Sequence, residues 1–202
     1  MIRKDFNRAV IQAGQRKPHW LQRQSYVPVA CENFKTYLKD CPRPRLLDIG
    51  CGQGHEVKEF IALGIDAEGV EINPRYVKAG RTLFPEIKIK PGNAENLDYP
   101  ADNFDLVYCR NVVFSTDPKK SLPELERVLR PGGIGHVTLD KRIVRLNDHS
   151  LLHSAEIDEV LALLIGCEVL AKNYQERIDE EPWRHRHDYY DIYFRKLFHK
   201  PD

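Results

Sequence analysis

The run Leu46-Leu47-Asp48-Ile49-Gly50-Cys51-Gly52-Gln53-Gly54-His55-Glu56 joins an apolar stretch to a loop with glycine at alternate positions. Without a Cβ, Gly50, Gly52 and Gly54 let the backbone turn sharply and lie against a ligand. Asp48 stands just ahead of the turn. A strand, a glycine loop and a helix N-terminus, in that order, make a nucleotide-type cofactor site at the edge of a parallel sheet. A second acid, Glu71, lies in Gly-Val-Glu-Ile-Asn-Pro. If that segment is the next parallel strand, its tip lies beside the glycine loop, where a carboxylate can accept hydrogen bonds from both hydroxyls of a ribose. Asn93 and its neighbours in Gly-Asn-Ala-Glu-Asn-Leu could meet an adenine edge, and Tyr108-Cys109-Arg110-Asn111 faces the same crevice.

These residues need a frame of strands and helices to hold them. Pro42-Arg43-Pro44 separates an N-terminal helical segment, about Ala30–Lys39, from everything after it. Strands are expected at Arg45–Ile49, Ala67–Ile72, Ile87–Lys90, Asp105–Cys109 and Ile134–Leu139. Between them fall helices at Glu56–Leu63, from Pro74 to about Phe84, and from Asp117-Pro118 through Leu129. Ser154 is read as the cap of an amphipathic helix reaching Ile165. Alternation of this kind argues for βαβ units and a parallel sheet. Glu168–Gln175 and Tyr189–Lys196 have only a polar, Pro-containing connection, so they should pair antiparallel as a long hairpin.

The chain has 202 residues, enough for one domain with a proper core. A net charge of +1 is no signature of a dedicated nucleic-acid binder. Residues 1–45 are nevertheless basic, with ten Lys/Arg against three acids, which is read as a solvated helical face. The five cysteines are odd in number and widely spaced, with no C-x-x-C pair, which fits a reducing compartment and a cytoplasmic protein. No apolar run is long enough to span a membrane, and the N-terminus lacks the apolar core of a secretory signal.

The segments Leu-Asp-Ile-Gly-Cys-Gly-Gln-Gly, Val-Glu-Ile-Asn-Pro, Gly-Asn-Ala-Glu-Asn-Leu, Phe-Asp-Leu-Val-Tyr and Glu-Arg-Val-Leu-Arg-Pro-Gly-Gly occur in that order. Together they resemble the class I S-adenosylmethionine-dependent methyltransferases, of the small-molecule type seen in ubiquinone and menaquinone biosynthesis. The resemblance covers roughly Arg45 to Leu139. It implies an α/β, Rossmann-like, doubly wound sheet of seven strands, mostly parallel, with the last strand antiparallel. It also implies an N-terminal cap over residues 1–44 on a methyltransferase domain over 45–202. Gly50, Gly52 and Gly54 would lie against the methionine part of S-adenosylmethionine, with Asp48 and Cys51 beside them. Glu71 would bind the ribose diol, followed by Ile72. Asn93, Ala94 and Glu95 would lie at the adenine, and Cys109 and Arg110 near the methionine amine. Asn93 departs from the family, which usually has Asp there, although an Asn oxygen can still accept from the adenine amino group.

Other residues invite sharper readings. His149 and His153 follow the fifth strand, where either could serve as a general base, although a surface or capping role is favoured. His185 and His187 alternate on one strand and would share a face, but the sequence names no third ligand; a solvated hairpin is favoured and no metal is expected. Cys51 and Cys109 read as small packing residues. His19, Trp20, Gln24 and Tyr26 lie where this family often carries a lid.

The expected function is methyl transfer from S-adenosylmethionine to a small-molecule acceptor by in-line displacement. The alternatives are a non-catalytic cofactor-binding subunit, a methyltransferase acting on RNA or protein, and, last, a nicotinamide-dependent oxidoreductase. The oxidoreductase fingerprint is G-x-G-x-x-G, whereas this chain has G-x-G-x-G followed by His55.

Overall fold

The computed structural model describes residues 25–39, 41–180 and 184–198. His19, Trp20, Gln24 and the basic residues before Ser25 lie outside the described residues. In chain order the elements are α1 (Val27–Tyr37), β1 (Arg45–Ile49), α2 (His55–Ala62), β2 (Asp66–Glu71), α3 (Pro74–Leu83), β3 (Ile89–Pro91) and β4 (Phe104–Cys109). A single 3-10 turn (Val113–Ser115) follows, then α4 (Pro118–Val128), β5 (Leu129–Arg145), β6 (Leu151–Ser154), α5 (Ile157–Leu161), β7 (Cys167–Asp179) and β8 (His185–Lys196).

The local chemistry explains most boundaries. Asn73 and Asp117 cap α3 and α4: each side-chain oxygen accepts from the backbone N–H two residues on, and a proline occupies the first helical position. Buried, apolar runs make β1 and β4 central strands. The sheet runs β3-β2-β1-β4-β5-β8-β7, with β6 pairing β5 outside that path. β1 to β5 are mutually parallel, and β8 lies antiparallel between β5 and β7. The seven-stranded path with one reversed strand is thus the architecture that the resemblance implies.

Helices cover both faces. On one, α1, α2 and α3 bury Val27, Phe34, Phe60 and Val77 against Leu46, Leu106, Tyr108, Ile134 and Tyr193. On the other, α4 and α5 bury Leu122, Leu125 and Ile157 against Leu47, Val107, Val137 and Ile192. Alternation along each strand divides its residues between these two layers.

The C-terminal third departs from expectation. β5 does not stop near Leu139 but continues to Arg145, paired with β8 along its length. That extension offers an edge to Leu151–Ser154, which pair with it antiparallel as β6. Ser154 is therefore in a strand and caps no helix. Glu156 holds the N-cap position of a five-residue α5 instead, although Ile157 and Leu164 do enter the core. The hairpin is also longer than expected, with its register unbroken from Ala171–Tyr193 to Asp179–His185.

Candidate active site

The site is built where β1 and β2 end side by side. Asp48 pairs with Gly69 and Ile49 with Val70, so the chain leaves β1 beside the end of β2. The turn is pinned there: the N–H groups of Gly50 and Cys51 both donate to the Val70 carbonyl, at 2.8 and 3.1 Å. Gly52 has φ +57, a left-handed conformation that L side chains resist. A Cβ at Gly52 would meet nothing within 4 Å, so this glycine borders open space. Gly54 is different: its Cβ would lie 2.5 Å from Ile87 and 2.6 Å from Ile89, so its smallness serves packing against β3.

Glu71 closes the loop. Its Oε2 accepts from the Gly52 N–H at 3.0 Å and its Oε1 from the Asn73 N–H at 2.7 Å. Each carboxylate oxygen has a second lone pair for a further donor. Ile72 beside it is 67% exposed, an apolar surface large enough for a flat ring to cover. On the next strand tip Asn93 is exposed, and its Oδ1 accepts from the Glu95 N–H at 3.0 Å. Part of the acceptor capacity that an adenine would use is thus spent within the loop. Ala94 is buried, and Glu95 turns its Oε1 to the Asp117 N–H at 2.7 Å. Glu95 Oε1 therefore holds the start of α4.

Asp48, Glu56 and Glu71 form an acidic rim. Glu56 lies in the first turn of α2 and takes Tyr108 Oη–H and Arg110 Nη1–H, both at 3.3 Å. Burial raises the Asp48 carboxyl well above its ordinary range, and the Glu56 and Glu71 charges push it further. Burial also raises Glu56, with Arg110 and Tyr108 working against it. For Glu71 burial again dominates, offset by the N–H groups of Asn73 and Gly52. Burial opposes the Arg110 charge, but Tyr108 and Glu56 more than compensate and hold its pKa up. Asp48 Oδ2 and Arg110 Nε are buried with no hydrogen-bond partner among the described residues. One guanidinium against three carboxylates leaves a cleft that favours a cation.

Residues 47–137 match a family model described as a methyltransferase domain. Over that span the chain is similar to methyltransferase domains. Over 124 residues it is 32% identical to an uncharacterised methyltransferase of Mycobacterium tuberculosis, a match covering 60% of this chain and 49% of that protein. It is 33% identical over 117 residues to the ubiquinone/menaquinone biosynthesis C-methyltransferase of Vibrio parahaemolyticus, covering 50% of this chain and 44% of the relative. The match therefore spans about half the length of these curated relatives. In fold it is similar to a crystal structure titled as a SAM-dependent methyltransferase from Methanosarcina mazei. The TM-score is 0.68 and the identity 19%, over 81% of this chain and 96% of the other.

Other candidates lie elsewhere in the matched span or beyond it. Cys51 packs against Gly69, and Cys109 is fully buried; burial raises both thiols, so neither is set up as a nucleophile. His149 is exposed in the β5–β6 turn with φ +56. His153 is half-buried in β6, its Nε2 3.0 Å from the Asp140 carbonyl. His185 and His187 are each 2% exposed, so these two side chains are buried rather than solvated. The extension of β5 pairs with this part of β8, which the spacing of the histidines alone does not disclose.

Sequence reasoning missed a file of polar residues. Tyr108, His136 and Tyr193 are register partners across β4, β5 and β8. His136 is fully buried, its ring 5.5 Å from Tyr26 and 5.0 Å from Tyr108, and its Nε2–H donates to Asp191 Oδ1 at 3.1 Å. Thr138 Oγ1 accepts from the Asn111 N–H at 2.7 Å. The signal was present: His136, Thr138 and Asp140 alternate with Val137 and Leu139 in a strand otherwise read as apolar.

Proposed function

We propose that this protein transfers the methyl group of S-adenosylmethionine to a small-molecule acceptor. The observation that carries this reading is the meeting of Asp48, Glu56 and Glu71 around the open face of Gly52. The cofactor bears a sulfonium and an ammonium, and a cleft with an excess of carboxylate suits both. The orphaned Asp48 Oδ2 supplies an acceptor awaiting a donor, and the remaining lone pairs of Glu71 suit a ribose diol. Ile72 and the Asn93–Ala94 backbone fit the adenine, whereas Glu95 Oε1 is already engaged at the start of α4.

When bound, the cofactor supplies a methyl group made electrophilic by its sulfonium. The chain's own residues bind, orient and exclude water. Glu71 fixes the glycine loop through the Gly52 N–H, and so sets where the ligand lies. Arg110, held by Glu56, places its guanidinium 5.0 Å from the Tyr26 ring and roofs the cleft on the α1 side. In this reading the chain divides into an N-terminal cap over 1–44 and a catalytic unit over 45–202. The acceptor lies, in this reading, on the face carrying Tyr26, Tyr189 and Asp191. His149 and His153 are not brought onto that row, so neither is assigned the role of base. The quinone methyltransferases among the relatives support a small acceptor. Free thiols at all five cysteines support a reducing, cytoplasmic setting, and among the described residues no helix is long and apolar enough to cross a membrane.

The test is calorimetry on the full chain with S-adenosylmethionine, S-adenosylhomocysteine and NAD. Binding of the first two with no heat from NAD is expected, followed by transfer of labelled methyl to a quinol-type acceptor panel. Affinity for NAD alone overturns the reading; tight cofactor binding with no turnover on any acceptor favours a non-catalytic subunit.

A further inference from the structure

The mouth of the β7–β8 hairpin brings two imidazoles and a carboxylate together. Asp179 ends β7 and pairs with His185, which begins β8; His187 follows on the same face. Asp179 Oδ2 lies 3.5 Å from His187 Nε2 and 3.9 Å from His185 Nε2. One ligand atom from each residue falls within 4.8 Å of the others. A tetrahedral ion with bonds of about 2.0–2.2 Å sets its donors roughly 3.3–3.6 Å apart. The Asp179–His187 separation already matches, and the rest close by roughly an ångström through side-chain rotation.

The surrounding contacts orient these donors inward. His187 Nδ1–H donates to Asp140 Oδ1 at 2.6 Å, which directs Nε2 toward Asp179. Nε2 is thus the ring atom on the side of the Asp179 carboxylate. A carboxylate behind a ligating imidazole is the usual outer support of such an ion. Arg177 Nε–H donates to Asp179 Oδ1 at 3.1 Å, and Oδ2 is the oxygen on the side of the histidines. The other end of Arg177 reaches Asn111 Oδ1 at 2.9 Å, tying the cluster to the tip of β4. Asp179, His185 and His187 are 4%, 2% and 2% exposed, so their charges are sheltered from water and dissolved salt.

We infer that Asp179, His185 and His187 bind a divalent first-row transition ion, Zn2+ in particular, with Asp140 as the outer carboxylate. Two imidazoles and one carboxylate suit that class of ion, whereas Mg2+ and Ca2+ favour oxygen donors throughout. The ion would staple the ends of β7 and β8 to each other and, through Asp140, to β5. Three protein ligands leave at least one coordination position for water or another oxygen donor.

The experiment strips the full chain with chelator, dialyses it against Zn2+ and measures bound metal, with a parallel Co2+ titration followed by visible absorption. About one Zn2+ per chain and tetrahedral Co2+ bands with an imidazole signature are expected. His187→Gln and Asp179→Asn should each weaken binding strongly, and Asp140→Asn by about 10–100-fold. Far-UV circular dichroism and a cooperative thermal transition verify folding of each variant, and the Co2+ spectrum of the unaltered chain reports the ligands should a variant fail to fold. A folded wild-type chain that retains no stoichiometric metal overturns the inference. So does undiminished metal in a folded His185→Gln/His187→Gln double variant.

Discussion

Gly52 carries two demands at one position, a left-handed backbone and open space in front of it. Gly52→Val should weaken S-adenosylhomocysteine binding more than tenfold, read by calorimetry. The thermal midpoint should fall only by the backbone strain, about 1–2 kcal/mol. Glu71→Ala should weaken binding by about 1–3 kcal/mol, the scale of hydrogen bonds lost from a charged group; unchanged affinity removes Glu71 from the ribose role. Asp48 gives the pH dependence. Its carboxyl is raised from 3.8, so in the free protein it holds its proton to higher pH than an exposed Asp. A cationic ligand favours the ionised form, so binding releases protons and affinity for S-adenosylmethionine rises with pH until the carboxyl of the free protein has ionised. In the free protein the same shift works against stability: the unfolded chain ionises first, and stability falls as pH climbs toward the folded pKa. Calorimetry in buffers of different ionisation heat should show the proton release, and Asp48→Asn should reduce it.

At the scale of elements, α1 decides whether the N-terminal segment is an appendage or part of the fold. Phe34 is 2% exposed, with ring centroids 6.4 Å from Phe60 and 6.0 Å from Tyr193. It therefore touches both α2 and the reversed strand β8. Phe34→Ala should cost about 3–5 kcal/mol in urea unfolding, as for other buried aromatics. A loss below about 1 kcal/mol would mean that α1 detaches without disturbing the core. β7 shows the opposite character. Most of its residues are exposed, and charged or polar side chains such as Lys172, Gln175 and Glu176 line this edge strand. Such side chains discourage pairing with another chain. The same exposure hides the meaning of its last residues, because Arg177 and Asp179 read as more of the same polar edge until β8 and β5 fold around them.

Across the whole molecule, stability is expected to grade from the centre of the sheet outward. β1, β4 and β5 are buried on both faces, whereas β7 has one free edge. Amide exchange should be slowest in β1 and β4 and fastest on the outer side of β7, with S-adenosylhomocysteine slowing Gly52 and Asn73 further. His136 supplies an acid-side signature. Burial lowers its pKa below 6.5, against the pull of Asp191, so the unfolded chain takes up a proton before the folded one does. That contribution to stability is present above 6.5 and is lost as pH falls toward the folded pKa. Proton NMR should find the His136 imidazole still neutral where an exposed histidine has taken up its proton.

By itself the sequence determined the strand-glycine-helix unit, the helix starts at Pro74 and at Asp117-Pro118, the parallel sheet and the reversed terminal strand. These are local or periodic signals, written in residues adjacent along the chain. It also placed Glu71 beside the glycine loop, because neighbouring parallel strands bring their tips together. Only the tertiary structure decided that Glu56 joins Asp48 and Glu71, that Glu95 faces α4, and that β5 runs on to capture β6. Likewise it gathered Asp140, Asp179, His185 and His187 from three strands into one buried cluster. Burial depends on what covers a side chain from distant parts of the chain, and no spacing between neighbours encodes that cover.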